Sequence, residues 1–174
     1  RFLREKGIKT KLIHTKKYSK FYKSYFINKK LFTPFVTGKI AISKDYLTIS
    51  KKDKWITNEV SRNLVHLLRS KYDCILSTSR SINQDDSLLN CRIDGLKNNK
   101  PDLFIIDLKL KLKKKLSLNK YLKIRKTFII TDKSHISKTS VYKKLGYKII
   151  FVNKLENKND FNSLYKKIYK MGYS

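Results

Sequence analysis

The chain reads as an α/β protein built on a mostly parallel sheet. Short β-branched and aromatic runs recur along its second half: Cys74-Ile75-Leu76, Leu103 to Ile106, Thr127 to Ile130 and Lys148 to Val152. Helical patterns fall between or after them, the clearest being Asn58 to Arg69, Ser137 to Leu145 and Asp160 to Met171. Strands that alternate with helical runs are joined by crossovers, and crossovers make neighbouring strands parallel.

Taken in order, residues 1–13 read as a short helix end, Gly7 and a strand-like Ile8 to Ile13. Tyr18, Phe21, Tyr22, Tyr25 and Phe26 recur at spacings of three and four, which favours an amphipathic helix ended by Pro34. Such an aromatic stripe more often packs on a neighbouring domain than stacks on a base or cofactor. Phe35 to Ile42 alternates and is β-rich, so a strand is expected there, followed by a polar loop over 44–54. Asn58 suits a helix N-cap, with Glu59 in the first turn. Val60, Leu64, Leu67 and Leu68 then share one face, and Arg62, Asn63, His66 and Arg69 lie mostly off it.

After the strand at 74–76, Asp85-Asp86 is placed in a loop. Leu103 to Ile106 follows Pro101 and ends at Asp107, and 109–123 is a basic hairpin or loop. Gly146 can close the helix before it. Asp160 is the expected cap of the last helix, with Leu164, Ile168 and Met171 on one face and Gly172 at its end. Another strand should follow that helix.

Composition bounds function less than the charge suggests. The 174 residues carry 42 Lys+Arg against 13 Asp+Glu, a net charge of +29. Alone, that points to a polyanion, and a basic nucleic-acid-binding protein of ribosomal type is the alternative reading. The surplus of Lys, Ile, Asn and Tyr over Gly, Ala and Pro also fits an AT-rich coding background, which loads lysine onto any surface. The lysines are spread over every segment, so no specific nucleic-acid partner is expected. Cys74 and Cys91 form no CxxC pair and read as structural thiols of a reducing compartment. His14, His66 and His135 lack ligand spacing, so no metal site is expected. No apolar run approaches the roughly 20 residues of a membrane span, and no leader pattern is visible. A cytoplasmic protein without a membrane partner is expected. The chain opens on Arg1, so an incomplete translation product is expected.

Candidate chemistry concentrates in one stretch. Lys39 could reach a ligand oxygen, though in so lysine-rich a chain a solvent-facing strand lysine is the commoner case. The Thr57 hydroxyl could bond a ligand, but capping the helix that follows is the plainer role. Trp55 is the only tryptophan and suits a core position or a stack on a flat ring. Arg69 and Arg92 could clamp a phosphate, because guanidinium groups bind phosphate bidentately. Asp85-Asp86 could bind a hydroxyl or shape a turn. There is no G-x-G-x-x-G and no P-loop; the five glycines stand alone.

The same residues, in this order, resemble the pyrimidine reductase domain of the bifunctional riboflavin-biosynthesis deaminase/reductase. They are Lys39-Ile40-Ala41-Ile42-Ser43-Lys44-Asp45, then Lys54-Trp55-Ile56-Thr57, Arg69, and Asp85-Asp86-Ser87-Leu88-Leu89-Asn90-Cys91-Arg92, with Ile105-Ile106-Asp107 as the next strand. The resemblance implies a dihydrofolate-reductase-like fold, a mostly parallel sheet flanked by helices, with its C-terminal part missing. It implies that 1–32 is the tail of a preceding deaminase domain plus linker, and that 33–174 is an incomplete reductase domain. The implied activity is NADPH-dependent reduction of the ribosyl group of 5-amino-6-(5-phosphoribosylamino)uracil to ribityl. Zinc would belong only to the deaminase domain, whose motifs this chain lacks.

Carried over, Asp53, Arg69, Leu89 and Arg92 would contact the phosphorylated pyrimidine substrate. Ile42, Trp55, Ser81, Asp85 and Leu108 would line the NADPH site, and Lys39 and Thr57 would lie near the reacting sugar. Self-association through the reductase domain is a further expectation. Asp45-Tyr46 stands where the family has Asp-Gly; tyrosine accepts a positive φ poorly, so that turn is expected to differ. The family's Glu-Gly-Gly segment, which grips the cofactor phosphates, would lie beyond Ser174.

Overall fold

The computed structural model describes residues 2–11, 13, 16–48, 56–96 and 100–174. Four parallel strands form one sheet in sequence order: β1 (Cys74–Thr78), β2 (Asp102–Ile106), β3 (Thr127–Asp132) and β4 (Lys148–Val152). The register is regular, with Leu76 opposite Phe104, Phe104 opposite Phe128, and Phe128 opposite Lys148. Helices are α1 (Phe2–Glu5), α2 (Lys16–Phe21), α3 (Lys23–Leu31), α4 (Glu59–Ser70), α5 (Ser79–Asp85), α6 (Ser140–Leu145) and α7 (Lys158–Lys170). Two 3-10 segments, Ser117–Tyr121 and Lys133–Thr139, complete the order.

Strand alternation sends neighbouring side chains to opposite faces, so the sheet has two cores. Leu103, Ile105 and Ile129 meet Ile82 of α5, Leu118 and Tyr142 of α6 on one face. Phe104, Phe128 and Ile130 meet Leu164 and Ile168 of α7 on the other. There the Phe104 and Phe128 rings stack at 4.5 Å and Tyr173 stands edge-on to Phe104 at 5.1 Å. Central strands buried on both faces are what a parallel sheet requires. The C-terminal residues are tied to the amino edge of the sheet. The Tyr173 hydroxyl donates to Asp102 at 2.6 Å, and the Ser174 N–H and hydroxyl donate to Asp73.

Several local expectations change. Ile8–Ile13 is no strand among its described residues, and the aromatic stretch is two helices broken at Tyr22. Its Phe21, Tyr25 and Phe26 rings are exposed. Phe35 to Ile42 forms no strand, because a strand needs a ladder partner and none lies beside it among the described residues. Asp85 sits in the last turn of α5 rather than in a loop, and Asp86 is that helix's left-handed C-cap. Asn157, not Asp160, caps α7; Asp160 completes the capping box from inside the first turn. Leu164 and Ile168 are buried but Met171 is 42% exposed.

Helix α4 begins at the expected Asn58 cap, which accepts the Ser61 N–H at 2.9 Å. Its expected packing face packs only in part: Val60 is 76% and Leu64 56% exposed, whereas Leu67 and Leu68 are half-buried. The helix is turned so that Val65 and Leu68 face a cleft, with Arg69 beside them. The 43–47 turn also departs from expectation. Tyr46 keeps a left-handed φ of 62°, a conformation costing an L-residue roughly 1–2 kcal/mol. Ser43 offsets this by bonding Leu47 through both backbone and hydroxyl.

Candidate functional site

The loop after α5 is held in an uncommon shape. Asp86 and Leu89 both have positive φ, 44° and 48°, and side chains at such positions persist only where surroundings fix them. The Asp86 carboxylate accepts the Ser117 N–H at 2.9 Å and its hydroxyl at 2.6 Å. These bonds hold its pKa below the usual carboxylate range. Arg125 is buried beneath the loop and donates to the carbonyls of Leu88, Leu89 and Pro101. Burial lowers the Arg125 pKa, and nearby Asp102 acts against that.

This loop presents the Asn90 carbonyl to α4. His66 Nδ1 lies 3.0 Å from it and Arg69 Nη1 donates to it at 3.2 Å. Arg92 Nη2 comes 3.3 Å from His66 Nε2. Arg92 is thus linked to Arg69 through the His66 ring and the Asn90 carbonyl, although the two arginines are far apart in sequence. Burial first, then the Arg92 charge, lowers the Arg69 pKa. Burial likewise lowers the His66 pKa, with both arginines adding to the effect and the Asn90 carbonyl opposing it. The two guanidinium groups concentrate positive charge at this point of the surface.

A cleft of about 480 Å³ runs alongside. The 34–39 segment forms one wall and β1 residues 74–77 the other, with α4 and α7 contributing side chains. Lys39, Arg69 and Leu89 all line it. Tyr72 spans its walls by donating to the Thr37 hydroxyl at 2.6 Å.

Ser81 and Leu108 lie elsewhere, past the carboxyl ends of β1 and β2. Thr78 caps α5, accepting from the Ser81 N–H at 3.3 Å and meeting the Ser81 hydroxyl at 3.1 Å. Asp107 is buried and fully used: Ser79 Oγ donates to it at 2.8 Å, and the Lys111 and Leu112 N–H groups at 2.9 and 2.8 Å. The Leu108 side chain packs against the Phe104 core. The exposed Asp85 carboxylate has no hydrogen bond among the described residues, so of the acidic pair Asp86 is the turn residue. Ile42 is exposed. Thr57 does not cap α4; its carbonyl accepts from Arg62 at 2.6 Å. Asp53 and Trp55 lie outside the described residues.

Sequence reasoning missed His66, Arg125 and Asp107 as organising residues. His66 carried one signal, its place three residues before Arg69 on the same helix, which puts both side chains on adjacent faces. Arg125 carried none, being one of 42 basic residues.

Residues 34–171 match the family model described as the RibD C-terminal domain. This chain belongs to the RibD C-terminal domain family. It is 26% identical over 140 residues to the riboflavin biosynthesis protein RibD of Actinobacillus pleuropneumoniae, covering 79% of this chain and 37% of that protein. Among solved structures, RibD of Acinetobacter baumannii superposes with a TM-score of 0.76 at 19% identity, over 97% of this chain and 46% of that one. The riboflavin biosynthesis reductase Rib7 of Saccharomyces cerevisiae gives 0.57 at 20% identity, over 90% and 68%. The chain thus spans less than half the length of the RibD proteins it matches, and the four-stranded parallel sheet is the fold it shares with them.

For a RibD-type domain the implied cofactor is a dinucleotide, and the described residues do not fit its diphosphate. A diphosphate is held by free backbone N–H groups at a glycine-rich turn opening a helix. The hydroxyls and Asp107 at the strand ends are already engaged with each other, and no glycine stands there. Among the described residues no group of His, Cys, Asp or Glu could hold a metal ion, and no helix is long and apolar enough to cross a membrane.

Proposed function

We propose that this chain is the reductase part of a RibD-type protein, reducing the ribosyl group of 5-amino-6-(5-phosphoribosylamino)uracil to ribityl with NADPH as hydride donor. The observation that carries this reading is the linkage of Arg92 to Arg69 through His66 and the Asn90 carbonyl, within a chain of this family. A guanidinium pair suits the doubly charged, planar-faced oxygens of a phosphate ester. Leu89, fixed by Arg125, borders that site, and Lys39 lines the same cleft, where an ammonium could meet a sugar oxygen. Thr57, near the start of α4, is assigned to the reacting sugar. Ile42, Ser81, Asp85 and Leu108 are assigned to the cofactor side, and Asp53 and Trp55 keep their substrate and cofactor roles on the resemblance alone. The diphosphate cradle would come from residues other than those described.

The test is substrate-dependent NADPH consumption, measured at saturating NADPH. Arg69→Ala and Arg92→Ala should each raise KM by about 10- to 100-fold, the loss of one or two charge-assisted bonds. Unchanged KM in both variants would contradict the assignment.

A further inference from the structure

We infer that His66 is a positioning residue that builds the anion site by holding Arg92 beside Arg69. The inference rests on the phosphate role of the two arginines proposed above. The geometry allows one productive arrangement. With the proton on Nδ1, His66 donates to the Asn90 carbonyl at 3.0 Å, and its bare Nε2 accepts from Arg92 at 3.3 Å. The Asn90 carbonyl also takes Arg69 at 3.2 Å, so one imidazole and one carbonyl link both guanidinium groups. With the proton on Nε2, or on both nitrogens, a donor would face the Arg92 donor and the link would break. The charged groups facing the ring are Arg69 from its own helix and Arg92 from the loop. Both oppose its protonation, so the neutral ring is the working form. Asn90 is itself buried, and its loop is anchored by Arg125 from the other side. The imidazole therefore works against a fixed point, and Arg92, which is exposed, is the partner it immobilises.

The experiment titrates inorganic phosphate into the 174-residue protein and five variants, with ¹⁵N NMR of the His66 ring. The native ring should show the Nδ1–H tautomer. His66→Leu should weaken phosphate binding about tenfold, the worth of one hydrogen bond to a charged group. His66→Gln, whose amide offers one donor and one acceptor, should restore most of that affinity. Arg92→Ala should cost little more when His66→Leu is already present, the coupling expected of residues acting as a unit. An Nε2–H tautomer, or full additivity of the two substitutions, overturns the inference. So does unchanged affinity in His66→Leu while Arg69→Ala abolishes binding, and that result leaves the anion site standing. Failure of the native protein to bind phosphate overturns both readings together.

Discussion

Arg125 holds three backbone carbonyls with one buried side chain, so the shape of the 88–90 loop depends on it. Arg125→Met keeps the bulk and leaves those carbonyls without donors. It should destabilise the protein by about 3 kcal/mol, read by denaturant unfolding, and should also weaken phosphate binding because Leu89 and Asn90 lose their anchor. The acidic pair divides its work differently. Asp86→Asn should lower the melting temperature, since its carboxylate holds Ser117. Asp85→Asn should leave stability unchanged and, in the cofactor role proposed for it, impair turnover; equal losses in both properties would mark Asp85 as structural. His66 gives stability a pH dependence. Its folded pKa lies below the unfolded value near 6.5, so the unfolded chain binds more protons between the two. Its contribution is present above pH 6.5 and is lost as the pH falls through that window. Unfolding of His66→Gln should lack this component when the two proteins are compared.

The paired strands were legible because each contains an apolar run bounded by polar residues, and Leu103 to Ile105 are buried. The 35–42 segment has the same pattern, yet pattern reports side-chain preference and not whether a ladder partner lies alongside. Helix α5 was missed because Ser-Arg-Ser-Ile-Asn-Gln-Asp carries one apolar residue, Ile82, and periodicity needs several; Thr78 as its cap was the available clue. Arg69, Leu89 and Lys39 could be named from motif order. Their common cleft could not, because it depends on how α4 is turned. On α4, Val60→Lys and Leu64→Lys should change stability by no more than about 0.5 kcal/mol, as exposed substitutions do. Leu68→Lys, facing the cleft, should cost about 2 kcal/mol or more. If Val60 and Leu64 prove the sensitive pair, the helix is turned as its apolar periodicity suggested.

At the scale of the whole molecule, β1 and β4 are edge strands, and β1 presents its unpaired backbone groups beside an apolar cleft. Such an edge is a template for a further strand, from a longer chain or a second copy, and self-association of this protein is proposed on that ground. In the proposed function the anion site draws on described residues, and the dinucleotide cradle does not. Calorimetric titration of the 174-residue chain with the phosphorylated ribosylaminouracil and, separately, with NADPH tests this division most directly. The account predicts measurable binding of the phosphorylated pyrimidine, lost in the Arg69→Ala/Arg92→Ala double variant, and NADPH binding weaker by about a hundredfold or more, as follows from losing several backbone donors to a diphosphate. NADPH binding as tight as that of the substrate, and unaffected by extending the chain, would contradict it.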